Sequence, residues 1–239
     1  MSEDAIRLDL HFTPLEMGDK TVKGKRAVVV DVLRFCTTVA CALQAGAERI
    51  IPVASTDDVA RLMGSLDRKE TLLCGKRLDG YQLSNSPEEY TPETVGGKTL
   101  LMSTNNGPAS VARCDGAKEI LLASLVNLGA LVERVAREDD WIVICAGRNG
   151  RFALEDALCA GALVSGIRNR GLPLDANDAG RSAEFLFRSA GGDLPAILRG
   201  TEAGKALAEQ GFERDVELCS RIDTVPIVPV VQDGRILKP

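Results

Sequence analysis

Two stretches of this 239-residue chain gather side chains able to bind an anion, hold a metal ion or supply a nucleophile. "VVVDVLRFCTT" (28–38) ends a run of valines on Asp31, places Arg34 one loop turn later and opens a helix with Thr37 and Thr38. The first N–H groups of a helix lack intrahelical partners, so this stretch offers an anion site beside a carboxylate available to a metal. "VICAGRNGRFALED" (143–156) holds two chemistries. Cys145 and Arg151 have the spacing of a cysteine phosphatase loop, and Arg148 and Arg151 could lower the pKa of a thiol beside them. Glu155 and Asp156 are hard oxygen ligands suited to a divalent cation, although carboxylates near a helix start are stabilised there in any case.

Two more loops carry polar groups in turn-forming contexts. In "KRLDGYQLSNSPEEY" (76–90), Lys76 and Arg77 can hold anionic oxygens, and Asn85 and Ser86 add amide and hydroxyl groups in a turn fixed by Pro87. In "STNNGP" (103–108), Asn106 and Gly107 let the backbone turn sharply and aim N–H groups at an anion. Other motifs are excluded. The "GGKT" at 96–99 has Pro92 where a P-loop requires its first glycine, and Leu33 breaks the Asp-x-Asp of haloacid-dehalogenase-type phosphatases.

The elements that must position these loops alternate. "RAVVVDV" (26–32), "RIIPV" (49–53), "TLLC" (71–74), "KTLLMS" (98–103), "EILLAS" (119–124) and "WIVICAG" (141–147) have strand length and β-branched content. Capped helical patterns begin at Thr37, Ser55 and Ser124. The alternation predicts a three-layer α/β/α sandwich around a largely parallel or mixed sheet, with ligands beyond the carboxyl ends of the strands, after Val30, Ser103 and Cys145. A mostly helical portion follows over about 153–222, and "TVPIVPVV" (224–231), with two prolines, reads as an edge strand. Residues 28–47 echo 143–162 without gaps, which suggests an internal strand-loop-helix duplication. No low-complexity linker interrupts the chain, so a single domain over 1–239 is the economical organisation.

Composition narrows the partners. Apolar residues make up 45% and aromatics only 4%, so the core must be built from Ala, Val, Leu and Ile. A net charge of -5 argues against nucleic acid or an anionic membrane as the main partner. "MSEDAIRLDLHF" shows no basic region leading into an apolar stretch and no run approaches a membrane span, so a cytoplasmic protein is expected. Cysteines 36, 41, 74, 114, 145, 159 and 219 form no CxxC pair, and the one histidine, His11, sits in the strand-like "IRLDLHF". Zinc sites and multi-histidine metal sites are therefore not expected.

Taken together and in order, "VVVDVLRFCTT", "LSNSPEEY", "STNNGPASV", "LLASLVNLGAL" and "CAGRNGRFALEDALCAG" resemble the 2-phosphosulfolactate phosphatase family. The likeness runs from about residue 26 to 165 and continues more loosely to "DTVPIVP". It departs at Gly75-Lys76-Arg77, where the family usually reads Gly-Glu-Arg, and at Ser103 to Pro108, where it reads Thr-Thr-Thr-Asn-Gly-Thr. The resemblance implies a magnesium-dependent phosphoric monoester hydrolase acting on 2-phospho-3-sulfolactate, a step towards coenzyme M. On that basis Mg²⁺ would sit on Asp31 and one or both of Glu155 and Asp156. Arg34, Arg77 and the groups around Thr37, Thr38 and Gly107 would hold the anionic substrate, and Asn85, Ser86, Thr104 and Asn106 would orient it. A homodimer is the default expectation. Two alternatives stay open at this point: a metal-independent cysteine phosphatase using Cys145 and Arg151, and a non-catalytic anion-binding regulatory protein.

Overall fold

The computed structural model describes residues 5–18 and 21–239. Residues 1–4, on which part of the leader argument rests, lie outside the described residues. The chain runs through β1 (Ile6–His11), β2 (Arg26–Val30), α1 (Phe35–Gln44), β3 (Arg49–Val53), α2 (Thr56–Met63), β4 (Thr71–Gly75) and β5 (Leu83–Ser84). It continues through α3 (Pro92–Val95), β6 (Thr99–Ser103), α4 (Gly107–Ala112), β7 (Glu119–Ala123), α5 (Leu128–Val135) and β8 (Trp141–Cys145). Helices α6 (Leu154–Asn169), α7 (Asp178–Ser189), α8 (Leu194–Gly200), α9 (Glu202–Glu209) and α10 (Glu213–Cys219) follow, with β9 (Leu174–Ala176) between α6 and α7 and the hairpin β10 (Val230–Gln232) and β11 (Arg235–Leu237) at the end.

The six strands expected from apolar runs all form, and the reason is visible in their burial. Every residue of "WIVIC" in β8 is buried, and Ala27 to Val30 of β2 are buried as well. Val28 and Val30 face one core while Ala27 and Val29 face the other, so a continuous apolar run is what a strand covered on both sides requires. Helices α5 and α6 pack on the first face, α1 and α4 on the second. This is the expected three-layer arrangement. Ser55 caps α2 by accepting the Asp58 N–H, and Ser124 forms a capping box with Asn127 one 3-10 turn before α5.

The sheet has the order β5-β4-β6-β3-β11-β10-β7-β2-β8-β1-β9. Strands β5, β4, β6 and β3 run parallel to one another, as do β7, β2, β8, β1 and β9. Three successive antiparallel pairings through the terminal hairpin join the two blocks, which therefore run in opposite directions. The junction is narrow: β10 is in register with β7 only at Val230 and Leu121, and β11 with β3 only at Ile236 and Ile50. Corresponding faces of both blocks share one core around α1, through Val29 and Leu122 from one and Leu100 and Met102 from the other.

One expectation for the C-terminal part needs correction. "TVPIVPVV" is no edge strand: only Val230 onward pairs, and it pairs inside the sheet order. Both prolines precede the ladder, and Pro229 still serves it by accepting the Leu122 N–H through its carbonyl. The stretch 153–222 is mostly helical, as expected, broken by turns and by β9, three residues held in place by parallel pairing with β1. The echo between 28–47 and 143–162 has a spatial counterpart, since Val28 lies opposite Val143 in adjacent parallel strands. The helices that follow nevertheless cover opposite faces. Among the described residues no helix is long and apolar enough to cross a membrane.

Helix α6 is held against α7 without clearance at one point. A Cβ on Gly161 would stand 2.0 Å from the Ala183 carbonyl oxygen, a backbone atom that cannot swing aside. Gly161→Ala should therefore lower unfolding free energy by about 1–3 kcal/mol, the usual range for overpacking. Urea denaturation measures it, and an unchanged midpoint would refute so close an approach.

Candidate active site

Two crevices of the sheet open into one cleft. Strand β2 leads away towards β3 and its neighbour β8 leads the other way towards β9, which leaves a gap between their carboxyl ends. The same divergence occurs at β4, which leads outward to β5, and β6, which leads back towards β7. A cavity of about 230 Å³ lies where the loops from both gaps meet. Asp31, Leu33 and Arg34 come from the turn after β2, Gly147 and Arg148 from the loop after β8, and Glu155 and Asp156 from the start of α6. Lys76, Asn85 and residues 104–106 form the opposite wall, and α9 covers it with Ala203, Ala206 and Leu207.

Hydrogen bonds stitch these loops together. Asp156 accepts the Val32 N–H at 2.9 Å with one carboxylate oxygen and the Gly147 N–H at 3.0 Å with the other. The Asn106 side chain accepts the Asn149 N–H, which ties the loop after β6 to the loop after β8. Thr38 Oγ1 donates to the Asn85 carbonyl at 2.9 Å and anchors the β5 loop on α1. Gly107 is needed for the same closure, because a Cβ there would meet the Phe35 ring at 2.1 Å.

Three carboxylates crowd one end of the cleft, each less than a tenth exposed. Burial pushes the Asp31 carboxyl up to about 7 against the pull of the Phe35 N–H, with Glu155 adding to the rise and Arg34 opposing it. Burial also raises Glu155, while its own N–H, the Thr201 hydroxyl and Arg148 draw it down. Asp156 is raised by burial and then by Asp31 and Glu155, against the Val32 and Gly147 N–H groups. Among the described residues no group of three or more His, Cys, Asp or Glu side chains could hold a metal ion. With both Asp156 oxygens turned to backbone donors, Asp31 and Glu155 remain. Two hard-oxygen ligands short of positive charge suit a cation that keeps several waters and takes further oxygens from a bound phosphate, which is the habit of Mg²⁺.

The rest of the cleft supplies donors and acceptors without protein partners. Arg148 Nη1, Thr104 Oγ1 and Asn85 Oδ1 are buried and make no hydrogen bond. Buried polar atoms are nearly always satisfied, so three orphans around one cavity mark the place of a polar ligand. Arg34 is paired with Asp215 and stacks on the Phe212 ring at 4.3 Å.

Of the residues singled out from sequence, the structure gathers Asp31, Arg34, Asn85, Thr104, Asn106, Glu155 and Asp156 around the cavity. Others stand behind it. Thr37 is fully buried with its hydroxyl on the Val32 carbonyl, Thr38 holds Asn85, Ser86 bonds Asp215, and Gly107 packs on Phe35. Arg77 lies over Phe212 at 4.1 Å, away from the cavity lining. The helix start offers less to an anion than expected, because the Phe35 and Cys36 N–H groups already bond the Asp31 side chain and carbonyl.

The cysteine alternative fails on geometry. Cys145 is fully buried in the sheet core, burial pushes its thiol far up rather than down, and neither it nor the exposed Arg151 lines the cavity. Sequence reasoning missed Asp215, Phe212 and the α9 wall, and left Arg148 out of the site. A signal existed for Asp215. Phe212, Asp215, Val216 and Cys219 have the spacing of one helical face, and all four are buried. An acid in an apolar stripe asks for a buried partner.

The sequence matches known proteins along most of its length. The sequence pattern of the family described as 2-phosphosulpholactate phosphatase matches residues 11–234. A probable 2-phosphosulfolactate phosphatase of Thermotoga petrophila is 38% identical over 218 residues, 89% of this chain and 92% of the relative. One of Clostridium acetobutylicum is 30% identical over 237 residues, 97% and 100% of the two chains, and one of a Cyanothece species is 35% identical over 243 residues, 97% and 99%. With the match spanning every loop that reaches the cleft, this chain belongs to the 2-phosphosulpholactate phosphatase family of phosphoric monoester hydrolases.

Proposed function

We propose that this phosphatase hydrolyses 2-phospho-3-sulfolactate, or a similarly small phosphorylated organic acid, in a magnesium-dependent reaction of the kind that leads towards coenzyme M. The observation that carries the proposal is the composition of the cleft: buried carboxylates at one end and the unpartnered Arg148 Nη1, Thr104 Oγ1 and Asn85 Oδ1 around it. A phosphate ester brought up to ionised Asp31 and Glu155 would be repelled, which favours a cation between them and the ester in addition to Arg34 and Arg148. Asp31 and Glu155 would hold it, with Asp156 fixing the loops on either side. Mg²⁺ bound there would draw charge from the phosphoryl oxygens and lower the barrier to attack.

The chain's own groups would bind and orient. Arg34 and Arg148 would take phosphoryl oxygens in charge-assisted hydrogen bonds. Asn85 and Thr104 would fix the rotation of the ester, and Lys76 on the opposite wall would face a second acidic group. One Asp31 oxygen already accepts the Phe35 N–H; with the other assigned to the cation, neither is left for attack on phosphorus, and water is the nucleophile in the proposed reaction. Leu207 and the small side chains of Ala203 and Ala206 would limit water on the covered side.

The direct test is phosphate release from 2-phospho-3-sulfolactate, alongside phosphoglycolate and 2-phospholactate, with Mg²⁺ and with EDTA. Release that needs Mg²⁺ and favours the sulfonate is expected; stoichiometric binding without turnover would instead indicate a regulatory protein. Asp31→Asn should lower kcat at least about 10²-fold, the scale of one lost charge-stabilising group. Cys145→Ser should keep most activity in the same assay, and loss of nearly all of it would reinstate the thiol. Stability without metal should also depend on pH. The Asp31 carboxyl in the folded protein, at about 7, holds its proton better than at its ordinary 3.8. That contribution is complete below the lower value, fades as pH rises between the two and is lost above the higher. The Tm of wild type in EDTA should therefore fall across that window more steeply than the Tm of Asp31→Asn.

A further inference from the structure

The ion pair of Arg34 lies behind the cleft. Asp215 is 1% exposed, on α10, and does not line the cavity, yet both of its oxygens are engaged. Oδ2 pairs with Arg34 Nη1, and Oδ1 accepts the Ser86 hydroxyl at 2.6 Å. One turn earlier Phe212 lies against Arg34 at 4.3 Å and against Arg77 at 4.1 Å. Two guanidinium groups that close to one ring must take opposite faces of it. Arg34 is thus held at its head by a carboxylate and on its plane by an aromatic ring, whereas Arg77 is exposed and makes no ion pair among the described residues.

Such an arrangement contributes little to stability, because desolvating both charges offsets much of their attraction and an apolar pair would fill the space as well. What it does provide is orientation. A free arginine side chain explores many rotamers, and a guanidinium that must meet a phosphoryl group loses that freedom on binding unless it has been lost already. Ser86 extends the restraint to the loop that carries Asn85, so one carboxylate sets two walls of the cleft relative to each other.

We infer that Asp215 is a positioning residue of the active site: from outside the cleft it fixes the Arg34 guanidinium for the substrate's phosphoryl group, with Phe212 as the backing surface. The inference rests on the phosphatase reading of the cleft. The C-terminal helix α10 is by this account part of the catalytic apparatus and not only its cover.

The test is a double-mutant cycle with two readouts, kcat/KM for phosphate release and the affinity for inorganic phosphate by calorimetry. Asp215→Asn keeps the shape and should lower kcat/KM about 10²-fold, the cost of a misplaced binding group, and should weaken phosphate binding in parallel. In an Arg34→Ala background the same substitution should change either readout by no more than about twofold, because the amide oxygen can still accept the Ser86 hydroxyl and the Arg34 contact it removes is already gone. Full activity of Asp215→Asn, or an undiminished loss in the Arg34→Ala background, would overturn the inference. If Asp215→Asn does not fold, Ser86→Ala takes its place in the cycle, with a smaller loss that must shrink without Arg34. Wild type that releases no phosphate from any ester would defeat the phosphatase reading instead, while the phosphate-binding cycle would still decide whether Asp215 acts through Arg34.

Discussion

Asp156 carries the structural burden on which the cleft depends. Strands β2 and β8 stay in ladder as far as Val30 and Cys145, after which their chains turn to opposite faces of the sheet. A crevice at such a divergence tends to leave backbone donors facing each other without acceptors, and a buried unpaired N–H is costly. The Asp156 carboxylate satisfies one N–H from each side, at Val32 and Gly147. Because it comes from the first turn of α6, it also sets that helix against both loops and delivers Glu155 next to Asp31.

The electrostatic character of the site follows from this clasp. Burial raises all three carboxyls, Glu155 adds to the rise of Asp31, and both add to that of Asp156, while Arg34 draws down Asp31 and Arg148 draws down Glu155. The cleft is thus under charge stress in the isolated chain, with acids at one end and unpartnered Arg148, Thr104 and Asn85 atoms around it. Strain of this kind is stable only when the surrounding fold over-determines it. The fold does so with two parallel blocks curled around α1, each sending the loops of its own divergence point into the same space. The helices after β9 then cover the result, and Asp215 gives Arg34 a fixed place within it.

Much of this was legible in the sequence. The six apolar runs became strands because a doubly covered strand has to be apolar throughout, as in "RAVVV" and "WIVIC", and local signals such as Ser55 and Ser124 marked helix starts where they occur. Asp31, Glu155 and Asp156 could be singled out because their residue type, at the end of a strand or the start of a helix, limits what they can do. The antiparallel junction of the blocks could not be read, since it is made by single residue pairs in a Pro-broken segment whose local pattern resembles an edge.

What the sequence by itself determined is therefore the class of elements, the α/β alternation and the loops that would carry chemistry, because these depend on neighbours a few positions apart. The division of labour within those loops was decided by tertiary structure. Thr37 and Thr38 read as anion binders until the fold gave their hydroxyls the Val32 and Asn85 carbonyls. Cys145 stayed open as an alternative nucleophile until the sheet closed over it, and Asp215, passed over in the sequence, gained its place when α10 brought it to Arg34, 181 residues away in sequence. Hydrogen-bond partners and burial are set by residues distant along the chain, and it is they that fix which of several suitable side chains is left free to meet a ligand.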